Sequence, residues 1–225
     1  MIIGLGSIFR NSVGYLDRYF AQARALKTEL AKEDIKFRLI LVEGDSWDNT
    51  WGGLAALSND LDIVIVKRAH GGPPWGSVDD PARWAALSWC CNGVLDHVEK
   101  DVDVMIYVES DLVWDAATMV ALTKQVSEQV PAISPMCFTS MGHFYDVWGY
   151  LKNGKQFGPF PPYHDELAVD GLTSIDSAGS CIVMRGDVAR MVRFGPHDCV
   201  RGLGRSIWEN GFSLWVDPTL RVMQT

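Results

Sequence analysis

Short apolar runs alternate with segments of helical period through the first 136 residues, and this rhythm leaves the chain few architectures. Met1 to Leu5, Phe37 to Val42, Asp62 to Val66, Val102 to Val108 and Ala132 to Met136 read as short buried strands. Val13, Leu16, Phe20, Ala23, Leu26 and Leu30 share one helical face, with Asn11 or Ser12 as cap. Trp84, Leu87, Cys91, Leu95 and Val98 share another, behind Asp79 or Asp80 with Pro81 in the first turn. A third helix is predicted from about Asp115 to Val130. Strand and helix repeated in this way predict an α/β fold: a Rossmann-like, mostly parallel sheet with right-handed crossovers and helices on both faces.

The rhythm stops after Met136. Residues 141–173 hold seven aromatics between Phe144 and Tyr163 together with Pro159, Pro161 and Pro162. A loop this long inside a compact domain is usually functional. Order returns with a strand from Ser180 to Arg185, a short helix from Asp187, a helical stretch up to Asn210 and Gly211, and a last strand near Phe212 to Val216. The 225 residues suit one domain, with 1–111 as its first half and 112–225 as its second. A net charge of -8 argues against broad binding to nucleic acid, which depends on Lys and Arg neutralising phosphates. The five cysteines lack CxxC spacing, so neither a disulfide framework nor a zinc site is expected. No apolar run approaches the ~20 residues of a spanning helix and no leader pattern precedes the first strand, so a cytoplasmic protein is expected.

Chemistry concentrates at strand ends. Glu109 and Asp111, flanking Ser110, close the fourth strand, and alternation along a strand points both carboxylates the same way. Such oxygen ligands suit Mg²⁺ or Mn²⁺, which neutralise a departing diphosphate. The second strand also ends in acids, Glu43 and Asp45 about Gly44, at the edge where open α/β sheets bind ligands; there they can accept hydrogen bonds from a base or ribose. Ser7 and Arg10 belong to a glycine-containing first loop, Gly4 to Arg10.

The stretch Glu43-Gly44-Asp45-Ser46-Trp47-Asp48-Asn49-Thr50 resembles the acidic DDGSxDxT segment after the second strand of GT-A fold glycosyltransferases, family 2 above all. Glu109-Ser110-Asp111 resembles their DxD motif, with Glu109 in place of the first Asp. Asp176-Ser177-Ala178-Gly179-Ser180, running into Val183-Met184-Arg185, looks like the DSxGG stretch of relatives such as the fungal mannan-type mannosyltransferases. The resemblance implies a nucleotide-diphosphate sugar, GDP- or UDP-linked, as donor, and hexosyl transfer to a glycan, lipid-linked or protein acceptor, with nucleic acid disfavoured. It implies metal ligation by Glu109 and Asp111, with Gln224 where many relatives place a histidine. Arg83 and Asn92 match positions facing the diphosphate, and Ser7, Arg10, Glu43, Asp45 and Ser110 complete the donor set. Asp198 best resembles the family's catalytic base, with Asp176 and the His164-Asp165-Glu166 cluster as alternatives.

Trp148, Tyr150 and Tyr163, with His164 and Asp165, are the candidate acceptor wall, since sugars stack their C–H faces on aromatic rings. Alternatively the loop buries its own aromatics. Trp84, Trp89 and Trp208 read as core from their helical spacing. Two other functions compete: a non-catalytic carbohydrate-binding or scaffold protein of the same fold, and a sugar-phosphate nucleotidyltransferase, for which no Lys follows Arg10 until Lys27.

Overall fold

The computed structural model describes residues 1–225 except 59, 73, 74, 76, 78, 169 and 225, so the breaker prolines Pro73 and Pro74 and the terminal Thr225 lie outside the described residues. In chain order the elements are β1 (Ile2–Phe9), α1 (Leu16–Ala31), β2 (Lys36–Glu43), α2 (Thr50–Leu57), β3 (Ile63–Lys67), α3 (Pro81–Leu95), β4 (Val104–Val108) and β5 (Leu112–Val113). There follow α4 (Ala116–Gln125), β6 (Ala132–Thr139), β7 (Leu151–Lys152), β8 (Lys155–Gln156), β9 (Thr173–Ile175), β10 (Cys181–Arg185), α5 (Gly186–Met191), α6 (Val200–Glu209) and β11 (Leu214–Gln224).

One sheet has the order β3-β2-β1-β4-β10-β6-β11-β5, with β9 also on β11. The first four strands pair in parallel. β10 then runs antiparallel to both β4 and β6, which restores the original direction, and β11 is parallel to β6. Six of the nine strands therefore run one way. β5, β9 and β10 run the other way, and β10, inside the sheet, is the central departure from a doubly wound sheet.

Strand alternation divides the core. Val104, Ile106 and Val108 of β4 pack with α1 and α4 through Phe20, Leu26, Met119 and Leu122. Met105 and Tyr107 pack on the other side with α3, α5 and α6 through Cys91, Val94, Val188 and Leu203. Each such side chain taken from water stabilises the fold by about 1.5–3 kcal/mol before entropy is counted.

Helix starts follow the acids. Asp80 accepts from Ala82 N at 2.8 Å ahead of Pro81, and Asp115 accepts from Thr118 N at 2.7 Å. α1 differs: Ser12 makes no cap bond, and the preceding turn is held instead by Asp48, which accepts from Val13 N at 3.2 Å. Asp48 also accepts from Thr50 N, opening α2 inside what reads in sequence as a polar turn. β1 continues through the supposed first loop to Phe9, and β11 continues past Val216 to Gln224, with a register shift between Asp217 and Arg221. α4 ends at Gln125, short of the expected Val130. Trp89 and Trp208, expected in the core, are exposed, because their turns of α3 and α6 face outward. All five cysteines are buried free thiols. Among the described residues no helix is long and apolar enough to cross a membrane.

Candidate active site

At the carboxyl ends of β1, β2 and β4 lies a cleft of about 410 Å³ whose lining includes Arg10, Tyr15, Gly44, Arg83, Ser110 and both Glu109 and Asp111. A parallel sheet makes this edge concave where neighbouring crossovers leave in different directions. Arg10 follows directly from β1. Its Nη2 donates to Gly72 O at 2.7 Å, and its guanidinium lies 4.5 Å from the Trp75 ring and 5.4 Å from that of Trp47. Arg18 fixes the acid pair from below by donating to Asp111 O at 2.8 Å. The cleft thus joins two guanidinium groups and two carboxylates in a protein of net charge -8.

The acids crowd one another. Burial, then Asp111 and Asp146, push the Glu109 carboxyl up to about 8, against smaller opposing contributions from a Ser180 hydrogen bond and from Arg83. Asp146 is raised too, chiefly by burial, while Ser180 N and Oγ donate to its Oδ2 at 2.7 and 2.9 Å. Gly179 is required here, since a methyl group in its place would overlap the Asp146 carboxylate. Gln224, expected as a metal ligand, meets the acid pair through its amide donor: its Nε2 lies 2.8 Å from Asp111 Oδ2. Among the described residues no group of three or more His, Cys, Asp or Glu is arranged to hold a metal ion. Mg²⁺ seldom needs one, since it binds through one or two carboxylates together with substrate phosphates and water. The donor set of Asp111 and Glu109, crowded enough to raise one acid, fits a cation that arrives with a diphosphate.

At the end of β2, Glu43 is only 1% exposed and its Oε1 accepts from Ser46 N at 2.6 Å, so it shapes the turn from inside. Asp45 stands at the rim with its Oδ2 accepting from Gly71 N and 3.5 Å from His70 Nδ1.

Several expected residues belong to the interior. Ser7 is fully buried in β1, donates to Val108 O at 2.6 Å and meets Tyr19 Oη at 2.8 Å. Asn92 binds Phe194 through both its backbone N–H and carbonyl. Tyr150 is buried, with its hydroxyl bonded to Ser134 and Pro135 O. Each engages a backbone carbonyl of its own chain, and none of the three lines the cleft. Tyr163 packs on Phe138 and Phe144, with centroids 5.7 and 6.0 Å apart, and His164 is buried with Nδ1 accepting from Glu166 N. Asp165 is exposed beside them. Of the loop's seven aromatics Phe144, Tyr150 and Phe157 are buried, whereas Tyr145 and Phe160 are exposed.

Trp148 lies between these extremes. Its ring stacks on Trp84 at 4.7 Å and 13°, next in sequence to Arg83, and Arg201 lies 4.3 Å over it. Beyond this pair lies a second cavity of about 520 Å³, and it is here that both Asp176 and Asp198 are found. Asp198 pairs through Oδ2 with Arg205, and Asp176 Oδ2 accepts from Gly154 N at 2.8 Å. Neither lines the first cleft.

Asp146 escapes a reading of the sequence: it lies in the aromatic loop, away from any strand end, and meets its partner Ser180 only across 34 residues.

No protein-family model and no curated protein matches the sequence. Solved structures do match. Residues 1–349 of S. aureus TarS superpose with a TM-score of 0.55 at 12% identity, covering 100% of this chain and 60% of that one. A mycobacterial protein gives 0.56 at 12% identity, covering 100% and 67%. TarS 1–349 in complex with UDP-GlcNAc gives 0.55 at 13%, covering 97% and 58%, and a complex with UDP is similar. The chain thus spans about 60% of the length of TarS 1–349, and it shares the fold of these proteins.

Proposed function

We propose that the chain is a glycosyltransferase of the GT-A type that moves a hexosyl group from a nucleoside-diphosphate sugar to an acceptor hydroxyl. The observation that carries this reading is the meeting of Arg10, Arg83, Glu109 and Asp111 in one cleft at the carboxyl edge of the sheet. Uridine is the favoured nucleoside, because a protein of the same fold is solved with UDP and UDP-GlcNAc. Residues 1–111 supply the donor half and 112–225 the acceptor half.

In this reading Asp111 and Glu109 hold Mn²⁺ or Mg²⁺, which supplies positive charge to the leaving diphosphate. Arg10 and Arg83 add charge-assisted hydrogen bonds to the same oxygens, and a planar guanidinium suits paired phosphate oxygens. Asp45 and the backbone at Gly44 lie against the nucleoside, and Ser110 is set at the sugar end. Trp148 stands where the donor side gives way to the acceptor side. Asp198, which lines the second cavity and not the cleft, takes the proton of an acceptor hydroxyl presented between the two. Glycan, lipid-linked and protein acceptors all present such a hydroxyl.

A thermal-shift screen with UDP, GDP, CDP and dTDP, each with and without Mn²⁺, tests the donor half. UDP is expected to stabilise the protein only with the metal, and Asp111→Ala to abolish the effect. Silence from all four diphosphates would leave the non-catalytic, saccharide-binding reading in its place.

A further inference from the structure

The second cavity is more than a place for a base. Asp198, Arg201, Arg205 and Trp208 project from one stripe of α6 and the turn before it, at spacings of three and four residues. Ten residues of helix extend about 15 Å, so the stripe is the wall of an elongated groove. Leu151 and Asp176 form the facing wall. The two walls meet closely because Gly204 carries no side chain: a methyl group there would strike Asp176 O and Ser177.

The chemistry of the groove is mixed. Asp198 and Arg205 neutralise each other, leaving little net charge. Asp198 Oδ1 and Arg201 Nη2 are buried without hydrogen-bond partners, a condition that protein interiors seldom tolerate and that marks groups arranged for something other than the fold. The turn that presents Asp198 is also strained. Cys199 has φ 41° and ψ −101°, outside the regions open to a residue with a Cβ, and Gly195 and Cys199 close the loop with reciprocal backbone bonds of 3.2 and 2.8 Å. At the far end Trp208 is 45% exposed, an uncovered aromatic face. At the near end Arg201 rests on Trp148, which stacks on Trp84, the neighbour in sequence of Arg83 in the donor cleft.

We infer that this groove binds a neutral saccharide chain, the acceptor or the product, with Trp208 as a stacking platform and Arg205 and Asp176 as hydrogen-bonding partners of its hydroxyls. Carboxylates accept from sugar hydroxyls, guanidinium groups donate to them, and an aromatic face covers the C–H side of a pyranose. A lone charged ligand would leave one member of the Asp198–Arg205 pair without its partner, whereas a hydroxyl donates to one and accepts from the other. The choice of a saccharide rests on the transferase reading; the groove itself does not.

The test is calorimetry and saturation-transfer NMR on the full chain with neutral tetrasaccharides (cellotetraose, chitotetraose, mannotetraose and maltotetraose), with glucose as the short control. At least one tetrasaccharide is expected to bind more tightly than glucose, and Trp208→Ala or Arg205→Ala to weaken it at least fivefold. Both side chains are exposed, and circular dichroism verifies that the variants fold. Binding by none of the four, or binding that neither substitution alters, overturns the proposal. UDP with Mn²⁺ is titrated into the same wild-type protein. UDP binding without saccharide binding keeps the transferase and removes the groove, and the reverse keeps the groove as a saccharide site and removes the transferase.

Discussion

The cleft at the strand ends and the groove along α6 handle charge in opposite ways. In the cleft burial first, and then the neighbouring Asp111 and Asp146, push the Glu109 carboxyl up to about 8. In the groove the acid and the base that face each other are paired, Asp198 with Arg205. Crowded carboxylates either take up a proton or are completed by something positive, whereas a balanced pair offers donors and acceptors without a field. In the proposed reading the first region takes a cation with its polyanion and the second a neutral partner.

The comparison breaks most readily at Asp111. Asp111→Ala is expected to reduce the affinity for Mn²⁺ with UDP by about 10–100-fold in calorimetry, as loss of a ligand or its support usually does. An unchanged affinity would mean that the crowding has no ligand. Gly179→Ala is expected next, at about 1–3 kcal/mol of lost stability in urea denaturation, because its methyl group would press on Asp146. The double variant with Asp146→Ala should recover part of that loss, and strict additivity would disprove the contact.

Glu109→Gln sharpens the contrast through pH. The folded-state value of about 8 exceeds the ordinary 4.5, so the metal-free protein binds an extra proton when folded and loses stability as pH rises between these values. The variant lacks this slope. Its Tm should exceed that of the wild type by several degrees above pH 8, and the gap should close below pH 4.5. Parallel curves for the two proteins would remove the claim of crowding. The smallest effect belongs to the groove: the Arg205 side chain is 59% exposed, so Arg205→Ala should cost less than about 1 kcal/mol of stability while weakening saccharide binding.

The same contrast explains what the sequence disclosed. The cleft acids stand at the ends of apolar runs, and alternation with strand length is enough to place Glu109, Asp111 and Asp45 at one edge. Arg10 and Arg83 follow from the same local units. Ser7 reads as part of a loop only because Gly4 and Gly6 interrupt the apolar run, when in fact β1 passes through them. α2 is hidden by Gly52 and Gly53 and by a first turn that looks like an Asp/Asn turn. Asp146 and the groove are made by contacts between distant segments, Asp146 with Ser180 and α6 with residues 176 and 177, and no local periodicity encodes such meetings. The direction of β10 is equally invisible, since a short buried run reads the same either way.

That direction has a topological consequence. β6 delivers the chain at the edge carrying the site, and β10, entering backwards, takes it up at the same edge, with Glu109 N donating to Ser180 O at 2.9 Å. The forty or so intervening residues leave and return at that edge, a canopy hung from two posts, with β9 reaching back to pair with the start of β11, toward the opposite edge. Both posts are central strands. Sequence change inside the canopy can therefore alter what is bound beneath it while the frame that holds the acids keeps its register.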